Sequence, residues 1–142
     1  LNSQGLVFMQ LGQVDKAQQR FMEALAEFEY APAYNNLGTA YLRDKNYMAA
    51  IRAYKQAIAL DGNNATHHFN LGLAFQKAVQ NEGAVQAFDQ AIALQPSYAK
   101  AYLSMALSYQ RMGNLPAARQ SLQRLLQVEP KNATAARLLA RL

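Results

Sequence analysis

The side chains able to do covalent or acid–base chemistry are few here, and their spacing does not assemble them. His67 and His68 are the only histidines, and they are adjacent. Neighbours on a helix diverge by about 100°, so these two cannot chelate one ion without distortion. His68 falls in a column of aromatic packing positions, which assigns it to structure. Ser3, Ser97, Ser104, Ser108 and Ser121 have no histidine placed to activate a hydroxyl. Acids are sparse, and no pair sits on a shared face for general acid–base work. No H-E-x-x-H, Asp-rich calcium loop or G-x-x-x-x-G-K-S/T phosphate loop occurs. With no cysteine in the chain, disulfides, thiolate metal sites and cysteine nucleophiles are excluded. We therefore expect no catalytic residue, no metal, no cofactor and no enzymatic activity.

The elements that would have to position any site are written into a repeat. "YNNLGTAY" (Tyr34 to Tyr41), "HFNLGLAF" (His68 to Phe75) and "YLSMALSY" (Tyr102 to Tyr109) follow one another at a step of 34 residues. On that step Gly38, Gly72 and Ala106 form a small column, and Tyr41, Phe75 and Tyr109 follow it. Ala50, Ala84 and Ala118 form a second small column, with Tyr54, Phe88 and Leu122 as its bulky partner. Pro96 and Pro130 close two units. Within a unit, Ala50, Ala53, Tyr54, Ala57 and Ile58 follow the i, i+3, i+4, i+7, i+8 pattern of an amphipathic helix. Gly12-Gln13 and Gly113-Asn114 are turn formers between two such helices. A helix pair of this size cannot bury its apolar face alone, so successive pairs must stack.

These columns resemble the tetratricopeptide repeat, whose pattern W-x2-L-G-x2-Y…A-x3-F…P is met by "YNNLGTAY…A…Y…A", with Tyr34 in the tryptophan place. The resemblance implies an all-α solenoid of antiparallel helix pairs stacked in a right-handed superhelix. It divides the chain, as one domain over 1–142, into a partial repeat at 1–30, repeats at 31–64, 65–98 and 99–132, and a capping or truncated helix at 133–142. Lys45 and Val79 depart from the pattern, standing where the turn between helices usually has glycine, and we expect strain there. The chain starts at Leu1 without a methionine, which reads as a fragment of something longer. No apolar run approaches the roughly 18 residues of a membrane span, there is no signal-type leader, and the compartment stays open.

In this family the first helix of each repeat lines a concave face where peptides bind, so the resemblance implies a protein–protein interaction module. The equivalent positions here, Gln76 among them, suggest two features. Asn36 and Asn70, followed by Ser104, resemble the asparagine ladder of the O-linked N-acetylglucosamine transferase superhelix, and an amide can pair with the backbone of an extended peptide. Arg43, Lys77 and Arg111 form a basic column, to which Lys100, Arg137 and Arg141 add, and Phe69 is the one aromatic expected on that face. The charge pattern agrees: residues 1–90 carry seven Lys or Arg against eight Asp or Glu, whereas residues 91–142 carry seven against Glu129 alone. An acidic or C-terminal peptide is the expected partner. The chaperone-type carboxylate clamp of the family does not fit, because only Asn70 and Lys100 match it while Asn35, Thr39 and Ser104 do not. Nucleic acid is not expected, since most aromatics fall in packing columns and not on a basic stripe. The alternative function is a scaffold that self-associates. Leu138, Leu139 and Leu142 form an apolar side of the last segment, which a second copy would cover to give a homo-oligomer through the truncated ends.

Overall fold

The computed structural model describes residues 1–142 and contains nine α-helices and no strand. They are α1 (Asn2–Gln10), α2 (Val14–Glu27), α3 (Ala31–Arg43), α4 (Tyr47–Leu60), α5 (Ala65–Lys77), α6 (Asn81–Leu94), α7 (Ala99–Arg111), α8 (Leu115–Val128) and α9 (Ala133–Arg141). From α3 onward the odd-numbered helices begin at residues 31, 65, 99 and 133, a constant step of 34. Asparagine sets several of these starts: the side chains of Asn46, Asn64, Asn114 and Asn132 each accept a hydrogen bond from a backbone N–H in the first turn of the following helix.

The turn inside each repeat needs one residue in the left-handed region. Gly12 (φ 74°) and Gly113 (φ 75°) provide it without strain, but Lys45 (φ 59°) and Val79 (φ 60°) are forced into it. The strain expected at those two positions is therefore present, and for β-branched Val79 this backbone is an outlier.

Within each pair, a small residue on the first helix receives a large one from the second. A Cβ added to Gly5 would meet the Phe21 ring at 2.4 Å, one on Gly38 the Tyr54 ring at 2.7 Å, and one on Gly72 the Phe88 ring at 2.5 Å. In the fourth pair the column changes in step, with Ala106 and Leu122 sharing one buried cluster. Tyr54, Phe21, Phe88 and Leu122 are all fully buried, so these contacts set the spacing inside each pair. Burial pushes the Tyr54 phenol up to about 12, and its hydroxyl lies 2.9 Å from the Thr39 hydroxyl.

Each helix packs on the next, which makes a one-dimensional stack. The odd helices also touch across repeats, α1 with α3, α3 with α5 and α5 with α7, whereas no two even helices pack to that extent. The stack therefore curves toward its odd-helix side, which is the inner face. Leu138, Leu139 and Leu142 correct the expectation of a bare apolar end: they are half-buried and pack against the core cluster of the last two pairs. At the other end, Leu1, Leu6, Val7 and Leu11 leave exposed apolar side chains on and beside α1, while the remaining exposed apolar side chains are spread along the stack.

Candidate functional site

The inner face has a one-sided chemistry. None of the five odd helices contains an Asp or a Glu; every acid of the chain lies on an even helix or in a turn. The same helices carry Arg43, Lys77, Lys100, Arg111, Arg137 and Arg141. All six are exposed. The ion pairs of the molecule lie elsewhere, at Arg20–Glu23 and Arg124–Asp89, and Asp61 approaches only the His67 ring, so none of the six is neutralised by a carboxylate. Arg43 is partly engaged: its Nη1 donates to the Met9 carbonyl at 2.9 Å and caps the C-terminal end of α1. Lys77 and Arg111, one and two repeats later, make no such bond, and five of the six cations are free.

The asparagines are organised differently from a ladder open to a ligand. Asn36 Nδ2 donates to Asn2 Oδ1 at 3.1 Å, and Asn70 Nδ2 donates to Asn35 Oδ1 at 2.9 Å. Each amide thus clasps the repeat before it. The side-chain oxygens of Asn36 and Asn70 have no partner within the chain, so one acceptor on each, and the second N–H, remain for other groups. Asn35 and Thr39, which fail the carboxylate-clamp pattern by type, are also turned to internal contacts with Asn70 and Tyr54.

Three expectations about single side chains need correction. Phe69 is not available on the inner face: it is 8% exposed and packs on Phe88 at 5.7 Å and Tyr98 at 4.9 Å between ring centroids. The buried histidine is His67, 5% exposed, whereas His68 is half-exposed with Nε2 at 2.9 Å from the Gly62 carbonyl. His67 Nδ1 lies 3.2 Å from Asn35 Oδ1, and burial holds its pKa below the usual histidine range against the opposing charge of Asp61. Gln76, expected on the inner surface, is buried and clasps the next repeat by donating to the Ser104 carbonyl (3.0 Å) and Ser108 Oγ (2.9 Å).

These clasps follow a rule along the inner face. The step from α1 to α3 is closed by Asn36 and Arg43, the step from α3 to α5 by Asn70 and His67, and the step from α5 to α7 by Gln76. Between α7 and α9 no side-chain hydrogen bond is made, and a cleft of about 430 Å³ opens there. Leu103, Leu107, Leu122 and Leu138 form its walls, with Ser104 and Arg141 beside them. Ser104, Arg137 and Arg141 are thus brought to one end of the face, while Lys100 and Arg111 mark the two ends of α7. No three His, Asp or Glu side chains converge anywhere to hold a metal ion, and no helix is long and apolar enough to cross a membrane.

Comparison with known proteins agrees with this architecture. Two tetratricopeptide repeat family models match, one over residues 2–47 and 35–99, the other over 76–142. Among curated proteins no sequence matches. Among solved structures, a crystal structure of MamA is 27% identical, covers 94% of this chain and 78% of its own, and superposes with a TM-score of 0.86. The Cut9–Hcn1 hetero-tetramer of the anaphase-promoting complex is 26% identical over 99% of this chain and 28% of that chain, with a TM-score of 0.81. The second repeat domain of human RPAP3, solved with the HSP70 peptide SGPTIEEVD, is 31% identical over 76% of this chain and 90% of that chain, with a TM-score of 0.70. On these matches, and on the stack of small-to-large helix pairs that carries them, the chain belongs to the tetratricopeptide repeat family.

Proposed function

We propose that this chain is a protein-interaction module that holds an acidic peptide segment of a partner along its odd-helix face, without chemistry of its own. The observation that carries this reading is the complete absence of Asp and Glu from five helices that together display six exposed cations. Such a surface gives a positive potential over the whole inner curve, strongest where Lys100, Arg111, Arg137 and Arg141 gather. The docking end of the segment carries Asp, Glu or a free C-terminus, because a guanidinium holds a carboxylate through two parallel hydrogen bonds. The free oxygens of Asn36 and Asn70 accept from the segment's backbone, toward the N-terminal end of the face. The peptide in the RPAP3 structure is itself acidic, which supports the class of ligand; the residues that would receive it differ, since Asn35 and Thr39 replace the clamp pattern.

The test is titration of fluorescent acidic, neutral and basic peptides over a series of salt concentrations, against wild type and the double variant Arg137→Ala/Arg141→Ala. Acidic peptides should bind best, and their affinity should fall with salt because exposed charges are screened within about 10 Å at 0.1 M. The double variant should bind them more weakly and lose part of that salt dependence, since four of the six cations remain. Equal binding of the neutral and acidic peptides refutes the proposal.

A second reading, self-association, has one observation in its favour: the exposed Leu6, Val7 and Leu11 beside the first pair. Sedimentation over a concentration series decides it, and a monomer throughout removes it.

A further inference from the structure

We infer that the cleft between α7 and α9 is an anchor pocket for a branched aliphatic side chain of the partner segment, set next to a carboxylate that pairs with Arg141. The inference rests on the peptide-binding reading above and adds to it where the segment is gripped and by what.

The cleft is distinguished by what it lacks and by what replaces it. At the three preceding steps a buried or half-buried polar side chain bridges adjacent odd helices, through Asn36, Asn70 and Gln76 in turn. One further repeat step beyond Asn36, Asn70 and Ser104 stands Leu138, which has no hydrogen-bonding group. The space that an amide crosses elsewhere is left open here at about 430 Å³, within the roughly 300–1,000 Å³ usual for a ligand cleft. Its exposed lining is mainly apolar, and Leu107 on its wall is 40% exposed.

Charge selects the occupant. Arg141 lies on the lining itself, Arg137 is one turn before it on the same helix, and no acid stands on α7 or α9 to neutralise either. A purely apolar partner would leave these cations without counter-charge, and a purely acidic one would leave the leucine walls wet. A segment with an aliphatic side chain beside an Asp or Glu satisfies both. Aromatic residues fit less well, because the cleft is walled by leucine side chains on three helices and has no flat aromatic surface to stack against.

The experiment uses two short acidic peptides that differ only in having leucine or serine at one central position. Each is titrated by fluorescence anisotropy against wild type, Ser104→Phe, which fills the cleft, and Leu107→Asn, which makes its exposed wall polar. Circular dichroism checks that each variant keeps its helix content, and Leu107→Asn carries the test if Ser104→Phe does not fold. Wild type should bind the leucine peptide about tenfold or more tightly than the serine peptide, and both variants should reduce that ratio to near one while still binding acidic peptides. If wild type binds the two peptides equally while Arg137→Ala/Arg141→Ala weakens both, the anchor pocket is refuted and the acidic groove stands. If neither peptide binds wild type at low salt, the groove reading itself fails. If sedimentation shows wild type self-associated and Ser104→Phe monomeric, the cleft is filled by a second copy and the inference is wrong.

Discussion

The small-to-large pairing inside each repeat makes a prediction that can be worked from contacts. Gly72 faces Phe88, and a Cβ on residue 72 would lie 2.5 Å from Phe88 Cε1 and 2.6 Å from Cδ1. Phe88 is fully buried, with Ala84, Ala91 and Phe69 in the same cluster, so its ring has nowhere to move. Gly72→Ala gains about 1 kcal/mol of helix propensity but meets an overpacking cost of about 1–3 kcal/mol. The expected net effect is a loss of up to about 2 kcal/mol. Phe88→Leu alone removes ring atoms from a closed site and should cost about 1–2 kcal/mol. The double variant Gly72→Ala/Phe88→Leu recreates the pair that the chain itself uses at Ala106 and Leu122, where the added methyl occupies space the ring gives up. It should be more stable than the sum of the single effects by at least about 1 kcal/mol. Urea unfolding of all four proteins, followed by circular dichroism, measures this coupling. Additive effects, within about 0.5 kcal/mol, would mean that residues 72 and 88 do not compete for one space and would refute the packing argument.

Two further predictions concern strain and protonation. Val79→Gly should raise the melting temperature by about 2–5 °C, because a β-branched residue held at φ 60° and 77% exposed loses strain and little packing; no change or a drop in a thermal melt contradicts the strained turn. His67 has its pKa lowered by burial, with Asp61 opposing and His68 reinforcing. Near and below the unfolded pKa of about 6.5 the unfolded chain binds more protons, so stability is highest above that pH and falls progressively as pH drops through it toward the lower folded pKa. His67→Gln should flatten that part of a stability–pH curve, and an unaltered slope would show that His67 does not report on the α3–α5 step.

Much of this architecture was legible in the residues themselves. The pairs Gly38–Tyr54, Gly72–Phe88 and Ala106–Leu122 recur at one spacing, and size complementarity makes that spacing readable as a helix–helix contact. Lys45 and Val79 stood out because only the turn positions around them call for positive φ. The sidedness of α5 was harder to read. His67, His68 and Phe69 are consecutive, and a rotation of about 100° per residue separates a buried ring from a half-exposed one, so a small error in the helix phase exchanges their roles. Gln76 looked like a surface residue because glutamine usually is, and only the position of Ser108 on the next helix accounts for its burial. Asn2 stands 34 residues before Asn36, but the first repeat is one residue shorter, so in the fold it takes the place of Asn35 and receives the Asn36 amide as Asn35 receives that of Asn70. The absence of acids from alternate helices was present in the letters all along; it becomes visible only when charge is counted by helix and not by chain half.

The central claim is that the odd helices, and not the even ones, form the ligand surface. Backbone amide chemical-shift mapping by NMR, with an acidic leucine-containing peptide titrated into the uniformly labelled chain, tests it most directly. The account predicts that the shifted amides lie on α3, α5, α7 and α9, are largest around Leu107, Leu138 and Arg141, and weaken in high salt. Shifts concentrated on α4, α6 and α8, or spread evenly over both faces, would contradict it.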